Sequence, residues 1–249
     1  MEDGGGLHIM ENASIAILST QAALMRQLDV TANNMANMTT PAYKRQKLLF
    51  REYVLQNTPE AEPIKVALDY ATTLDMTQGA LTRTGNLLDI ALDGKGFFSV
   101  QGTDGKLYSR AGNLSLNSTH QLVDMSGAPV LNEGGQPITI PEGENALTIA
   151  SNGSIAGSTG EIGRIGLFEF TNEETVIPVG ATHYTSDIPP VSATETKVVQ
   201  GAVENSNIEP ITEMTSILNM QRQYQDNQKI IETTHDLTLK AISRIGTVA

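Results

Sequence analysis

The sequence of 249 residues contains no cysteine and no tryptophan, and only 4% of its residues are aromatic. Without cysteine, the chain can form no disulfide, zinc–thiolate site, iron–sulfur cluster or thiol nucleophile. The low aromatic content and the 22 glycines favour many turns around a modest core over the dense interior of a large enzyme. The fold must therefore be stabilised by packing and not by covalent cross-links between side chains.

Positive charge is also scarce, because 16 lysines and arginines stand against 28 aspartates and glutamates, a net charge of −12. Such a chain repels nucleic acid and anionic lipid headgroups, so neither is an expected partner. No apolar run approaches the ~18 residues of a membrane span, and we expect no direct membrane insertion. The first residues are acidic and glycine-rich where a secretory signal would be basic. We therefore expect residues 1–10 to be a flexible extension, and any export to occur without a cleaved signal peptide.

Side chains that could carry chemistry do not cluster in the sequence. The four histidines are scattered, and none has a second ligand at the spacing of a metal site on a predicted helix. Gly94 and Gly96 lack the third glycine and the following helix of a dinucleotide-binding loop. Asp89 and Asp93 are predicted on a strand and a loop, which makes them poor candidates for a paired acid and base. We expect no catalytic residue, no metal site and no cofactor.

The region between residues 11 and 40 has the apolar spacing of an α-helix. At ~100° per residue, Leu24, Leu28 and Met35 fall within roughly 40° of Ile17. Further apolar residues widen this face to roughly 200°, well beyond the ~100° stripe of an ordinary surface helix. One neighbouring element would not cover this face, although a helix buried inside a globular domain would show the same pattern.

The C-terminal region, residues 201–249, is predicted to contain one helix of about 35 residues, because no glycine lies between Ile208 and Gly246 and no proline follows Pro210. Its mainly apolar seam alternates spacings of three and four residues, as in a coiled coil. The seam consists of Ile217, Met220, Tyr224, Asn227, Ile231, Thr234, Thr238, Ala241 and Ile245. A second stripe widens the first half of the helix and consists of Ile211, Met214 and Leu218.

The simplest way to cover both apolar faces is to pair the two terminal helices with each other in a coiled-coil-like domain. Surplus apolar surface would remain, which is typical of a subunit that is buried in an assembly. The alternative is a solitary helical hairpin that docks on its own domain.

Between the helices, residues 76–200 show short alternating runs broken by glycine, asparagine and proline. Turn signals such as Asn152-Gly153 recur at roughly the 8–12-residue spacing of an all-β sandwich or barrel, so we predict a central all-β domain. Residues 41–75 contain three prolines and little apolar periodicity, which predicts an extended connector. The expected fold class is therefore mixed α and β.

Four stretches resemble the bacterial flagellar rod and hook proteins. ANNMANMTTPAYKR is similar to the N-terminal signature of this family, and TQGALTRTGNLLDIALDGKGFFSV to its central Thr-Gly-Asn-x-Leu-Asp…Gly-x-Gly-Phe-Phe segment. YSRAGNLSL resembles its Arg-x-Gly strand, and NSNIEPITEMTSILNMQRQYQDNQK its C-terminal Ser-Asn…Gln-Arg-x-Tyr helix. The resemblance covers most of residues 12–245 and is best for the proximal rod subunits, with the distal rod subunits as the nearest rival.

Among the positions that depart from the pattern of the family, two lie in predicted turns. Ala42 stands where glycine is usual after Pro41, which predicts a turn that does not need a positive φ. His120 stands where a turn glycine is common, which leaves the geometry of that hairpin open.

The resemblance implies a structural, non-enzymatic subunit that assembles with other rod subunits, proximal and distal, in a helical hetero-assembly of the flagellar basal body in the periplasmic space. It also implies delivery by the flagellar type III export apparatus. The subunit interface is expected to use polar residues around the end of the first helix and apolar residues of both helices. These residues are Ile17, Leu24, Leu28, Asn33, Asn34, Met35, Asn37, Tyr43, Lys44, Ile217, Met220, Arg222, Tyr224, Ile231 and Ile245.

For Lys44, an ordinary helix C-terminal cap whose cation complements the helix dipole is the alternative. Two other classes of function also remain open from the residues alone. An enzyme would need a cluster of titratable groups in the β domain, and none is visible in the sequence. A β-sandwich binding module would keep its function after the termini are removed.

Overall fold

The computed structural model describes residues 4–55, 64–103, 105–144, 147–158 and 160–246. A helix stands at each end, α1 (Gly4–Ala36) and α2 (Pro210–Gly246), and seventeen strands lie between them in these residues. The strands are β1 (Gln46–Leu55), β2 (Ile64–Leu74), β3 (Leu81–Arg83), β4 (Ile90–Asp93), β5 (Phe97–Gln101), β6 (Lys106–Ser109), β7 (Ser115–Leu116), β8 (Leu122–Val123), β9 (Thr148–Ile149), β10 (Ser154–Gly157), β11 (Gly160–Arg164), β12 (Leu167–Glu169), β13 (Val176–Val179), β14 (His183–Ser186), β15 (Val191–Ser192), β16 (Lys197–Gln200) and β17 (Ala202–Glu204). The predicted class, two terminal helices around a β-rich middle, is confirmed.

The first helix is longer than the sequence indicates. α1 begins at Gly4, so most of the predicted extension of residues 1–10 is helical, despite the poor helix propensity of the glycines there. After Ala36 the chain turns, with the Thr40 amide donating to the Asn37 carbonyl at 3.1 Å. Pro41 follows, and a proline prevents the helix from continuing.

The second helix begins at Pro210, the position where the missing N–H of a proline costs no hydrogen bond. The predicted seam is its least exposed face: Met220 is buried, and six other seam residues are half-buried, Ile217, Tyr224, Asn227, Ile231, Thr234 and Thr238. The side chains of Ala241 and Ile245 lie outside the described residues. Within the described part of the chain, neither helix has a stretch long and apolar enough to cross a membrane.

The predicted extended connector contains paired strands. β1 and β2 form a separate two-stranded sheet, which we call the β1–β2 ribbon. Its sequence signal is the alternation of Ile64, Val66, Leu68 and Tyr70 with smaller or charged residues, a period-2 pattern typical of a strand. Pro59 and Pro63 precede this pattern and favour a connector over a strand, because proline is unfavourable inside a sheet.

The middle of the chain is built around a six-stranded sheet with the order β13-β14-β6-β5-β12-β15. Successive side chains of β5 point to opposite faces. Phe98 and Val100 join the larger apolar cluster, and Phe97 joins a smaller aromatic one. Gly112 is required by close packing, since a Cβ there would lie 1.7 Å from the carbonyl oxygen of Ile90.

Two turns adopt the left-handed conformation without glycine. Ala42 has φ = 55° and His120 has φ = 58°. The prediction that the turn after Pro41 does not need a positive φ is therefore wrong. The hairpin at His120 also keeps a positive φ, although histidine has no glycine-like freedom there.

The chain divides into two compact units. The helix–ribbon unit contains α1 up to Met35, the β1–β2 ribbon up to Thr73, and α2 from Pro210. The β unit contains residues 36–45 and 74–209, so it is discontinuous in sequence and larger than the predicted domain of residues 76–200.

Candidate subunit interface

Asn34 supplies hydrogen bonds at the start of the β1–β2 ribbon. Its amide Nδ2 donates to the Gln46 carbonyl at 2.9 Å, and its Oδ1 accepts from the Gln46 amide at 2.9 Å. The side chain is almost fully buried. Both polar groups of one backbone residue are thus satisfied by one amide, which both donates and accepts. Asn34, predicted at a subunit contact, is engaged inside the helix–ribbon unit.

The other two asparagines differ in their surroundings. Asn37 is half-buried, and its Oδ1 accepts from the Thr40 hydroxyl at 3.2 Å in the turn after α1. Asn33 is exposed, as is Arg222 on α2. Of these predicted interface residues, Asn33 and Arg222 have the exposure that contact with a second molecule requires.

Tyr43 and Lys44 are interior residues of the β unit. The Lys44 ammonium donates to the Thr77 carbonyl at 2.7 Å and forms an ion pair with Glu204 Oε1 at 2.8 Å. Burial lowers the pKa of the Lys44 ammonium, and the Glu204 carboxylate opposes this shift. Lys44, predicted at the subunit interface, therefore uses its charge inside the subunit.

Glu204 and Arg110 complete this buried ionic cluster, and sequence reasoning did not select either. Arg110 Nη2 lies 2.8 Å from Glu204 Oε2. Its Nη1 donates to the carbonyls of Gly94 and Gly96 at 2.9 and 2.6 Å. The guanidinium also lies over the Phe97 ring, 5.4 Å from its centroid. Arg110 belongs to the Arg-x-Gly stretch, which was the available signal, but nothing in the sequence paired it with Glu204.

The apolar residues predicted for the interface are partly covered within a single chain. On α1, Leu24 is buried and three others are half-buried, Ile17, Leu28 and Met35. On α2, Met220 is buried and Ile217, Tyr224 and Ile231 are half-buried. The remaining apolar surface of both helices lies on other faces. Its exposed residues are Leu18, Met25, Ile211, Met214, Leu218, Ile230, Leu237 and Leu239.

A second titratable pair lies in the β unit. His183 Nε2 is 2.6 Å from Asp124 Oδ2, and Asp124 Oδ1 accepts from the amides of Ser126 and Ala128. Burial disfavours the Asp124 carboxylate, but hydrogen bonds from His183 and Ser126 outweigh it and hold the pKa of this group below its usual range. The pair ties β14 to the turn after β8. No group of three or more metal-ligating side chains occurs in the described residues.

Three family models of flagellar proteins match this chain. The family model for the flagellar hook protein FlgE/F/G D1 domain matches residues 91–157, that for the flagellar basal body rod FlgEFG protein C-terminal matches residues 199–244, and that for the flagella basal body rod protein matches residues 17–44. The flagellar basal-body rod protein FlgF of Caulobacter vibrioides is 34% identical over 244 residues, 96% of this chain and 100% of that protein.

Rod proteins of other bacteria are also similar to this chain over most of its length. FlgF of Escherichia coli is 29% identical, over 91% of this chain and 95% of that protein. The rod protein FlgG of Bacillus subtilis is 28% identical, over 87% of this chain and 92% of that protein. The chain belongs to the family of flagellar basal-body rod proteins and is FlgF-like.

Proposed function

We propose that this protein is a structural subunit of the flagellar basal-body rod, that it polymerises through its terminal helices, and that it catalyses no reaction. The observation that carries the proposal is the apolar surface that both helices leave open. On α2, Ile211, Met214 and Leu218 are 79%, 62% and 49% exposed. On α1, Leu18 and Met25 are 57% and 49% exposed.

These residues form stripes rather than scattered points. Positions i, i+3 and i+7 of a helix share one face, so Ile211, Met214 and Leu218 form one continuous strip. Leu18 and Met25, seven residues apart, also share a face. A soluble monomer rarely exposes apolar strips of this kind unless a partner covers them. A contact between two different strips of neighbouring copies would also repeat without closing, which is how a helical assembly grows.

Within each subunit, we propose that α1 and α2 pair along their less exposed faces in a coiled-coil-like arrangement, with Ile17, Leu24, Leu28 and Met35 on one helix. The half-buried heptad seam of α2 supports this pairing. The outer strips would then face neighbouring rod subunits, proximal and distal. Such an interlocked shaft would transmit torque.

The finer assignments rest on similarity. The FlgF-like sequence favours the proximal rod over the distal rod. Rod subunits of this kind would be delivered by the flagellar type III export apparatus and assemble in the periplasmic space, with no cleaved signal peptide.

The proposal is tested by removing the gene and restoring it in variant forms. Cells without the gene should be non-motile, and their purified basal bodies should lack the complete rod. The Leu218→Glu variant should reduce complete rods by about tenfold or more, because burying one apolar side chain contributes about 1.5–3 kcal/mol.

The matched control is Gln223→Glu, which adds the same charge at an exposed position on another face of α2. This variant should restore motility. Full swimming in the absence of the gene would reject the proposed function. Full rods with Leu218→Glu would reject the strip as the assembly surface.

A further inference from the structure

Three short segments of the β unit are tied together by hydrogen bonds, and we call them the joint: residues 42–45, 75–80 and 204–207. The first bonds to the third through the Ala42 amide and the Glu204 carbonyl at 2.8 Å. The first bonds to the second through the Asp75 amide and the Arg45 carbonyl at 2.8 Å. The second bonds to the third through the Gly79 amide and Glu204 Oε1 at 3.0 Å.

One asparagine links all three segments of the joint. Asn207 Oδ1 accepts from the Arg45 amide at 2.8 Å, while Nδ2 donates to the carbonyls of Asp75 and Thr77 at 2.8 and 3.0 Å. Lys44 adds a charged link, since its ammonium bonds both Thr77 and Glu204. These interactions lie within the β unit.

The joint is fastened to the β core by the buried ionic cluster. Glu204 Oε1 holds Lys44, and its Oε2 holds Arg110. Arg110 in turn bonds the backbone between β4 and β5 at Gly94 and Gly96. Charge-assisted hydrogen bonds are shorter and stronger than neutral ones, and this chain of them runs from the joint into the sheet.

The joint lies close to the points at which the chain passes from one compact unit to the other. The chain passes between the two units at four peptide bonds: 35–36, 45–46, 73–74 and 209–210. Three of the four are within two residues of the joint, and the turn at Asn37–Thr40 separates the fourth from it. A covalent crossing alone can bend through a few backbone dihedrals, as hinges do. Hydrogen bonds among the three segments of the joint hold the β-unit ends of three of these crossings to one another.

We infer that the joint is the mechanical connection through which force passes between the four chain crossings and the β core, with Lys44 and Glu204 as its positioning pair. This inference rests on the proposed function as a rod subunit. Lys44 and Glu204 are separated by 160 residues, so the pair brings the two ends of the β unit to one point.

The test begins with hydrogen exchange on the full-length protein. Lys44→Met keeps the length of the side chain and removes its ammonium. We expect the amides of Ala42, Arg45, Asp75 and Gly79 to exchange at least about tenfold faster, while those of β5 and β6 stay unchanged. The control is Lys95→Met, which removes a largely exposed lysine of the same unit and should change none of them.

The second measurement is swimming speed as the viscosity of the medium rises. Cells with Lys44→Met should assemble rods and swim at low viscosity but lose speed at high viscosity faster than wild type, whereas a subunit that cannot assemble fails at both. If Lys44→Met does not assemble, Asn207→Ala decides, because it removes the hydrogen bonds to Arg45, Asp75 and Thr77 from a half-buried position. Unchanged exchange, or wild-type speed under high load, would overturn the inference. Normal swimming without the gene would reject the proposed function instead and leave the exchange result standing.

Discussion

Two amide side chains satisfy backbone groups at the start of β1 and just before it. Asn34 satisfies both backbone groups of Gln46, and Asn207 accepts from the amide of Arg45. Each of these asparagines uses both its donor and its acceptor, which an aspartate could not do. Asparagine is a poor helix former, and its presence at position 34 near the end of α1 is explained by these bonds to backbone outside the helix.

Replacing Ala42 by glycine is expected to stabilise the protein, whereas glycine substitutions usually destabilise. Ala42 is buried at φ = 55°, a conformation that costs an L-residue roughly 1–2 kcal/mol. Glycine would relieve this strain. Its greater conformational entropy in the unfolded chain would, however, lower the free energy of unfolding by about 0.4–1 kcal/mol. Ala42→Gly should therefore raise the free energy of unfolding of the β unit by about 0.5–1 kcal/mol, measured by urea denaturation.

Ala111→Gly is the matched control, since Ala111 is also buried in the β unit but is not among the residues with positive φ. That substitution should lower the free energy of unfolding by about 0.5–1 kcal/mol. Equal destabilisation by the two substitutions would show that the turn at Ala42 carries no strain.

The buried cluster could not have been predicted from local composition. Lys44 stands in a short basic run, and lysines are almost never fully buried unless paired. Its partner, Glu204, is 160 residues away, and no spacing rule connects such positions. By contrast, the turn at Asn152-Gly153 was predictable, because the signal and the structure are both local, with Gly153 at φ = 85°.

At the scale of elements, local periodicity was sufficient where one pattern continued for many residues. The seam residues of α2 from Ile217 to Thr238 are buried or half-buried, as a continued heptad spacing favours, whereas their contact with another helix stays a prediction. The β1–β2 ribbon was missed because two opposing signals, alternation and proline, occur within one segment. The start of α1 was missed for a similar reason, since glycines stand where the helix begins.

The half-buried seam of α2 predicts a charge-sensitive position at Ile231. Ile231→Asp places a carboxylate on this face, and an unpaired charge in an apolar contact is strongly unfavourable. We expect rod assembly and motility to be lost, while the thermal transition of the β unit stays unchanged because Ile231 belongs to the other unit. Complete basal bodies would be counted by electron microscopy, and the β-unit transition followed by calorimetry.

Thr233→Asp is the control for this change, because Thr233 is exposed and lies about 200° around the helix from Ile231. It adds the same charge to the same helix and should allow assembly. Loss of rods with both variants would mean that added charge anywhere on α2 is harmful, and the seam would have no special role.

For the whole molecule, the discontinuous β unit changes what an isolated subunit should look like. Residues 36–45 precede the β1–β2 ribbon in sequence but belong to the same compact unit as residues 74–209. The two pieces are held together by the joint and by the buried ion pair of Lys44 and Glu204. The ribbon can therefore be cut without removing the short segment from its place.

Limited proteolysis of dilute full-length protein tests this organisation. Helix nucleation is costly, and the terminal helices expose broad apolar strips, so outside an assembly they have little packing to stabilise them. Chymotrypsin should trim both helices and cut β1, where Leu49 and Phe50 are exposed. The resistant product should be two fragments, one containing residues 36–45 and one containing residues 74–209. They should elute together under native conditions and separate in denaturant, and far-UV circular dichroism should gain helix on assembly.

A core without the short fragment would contradict the discontinuous unit. If hydrogen exchange found residues 15–35 and 215–245 as protected as the β core, the helices would be a stable bundle by themselves, and the exposed strips alone would have to drive assembly.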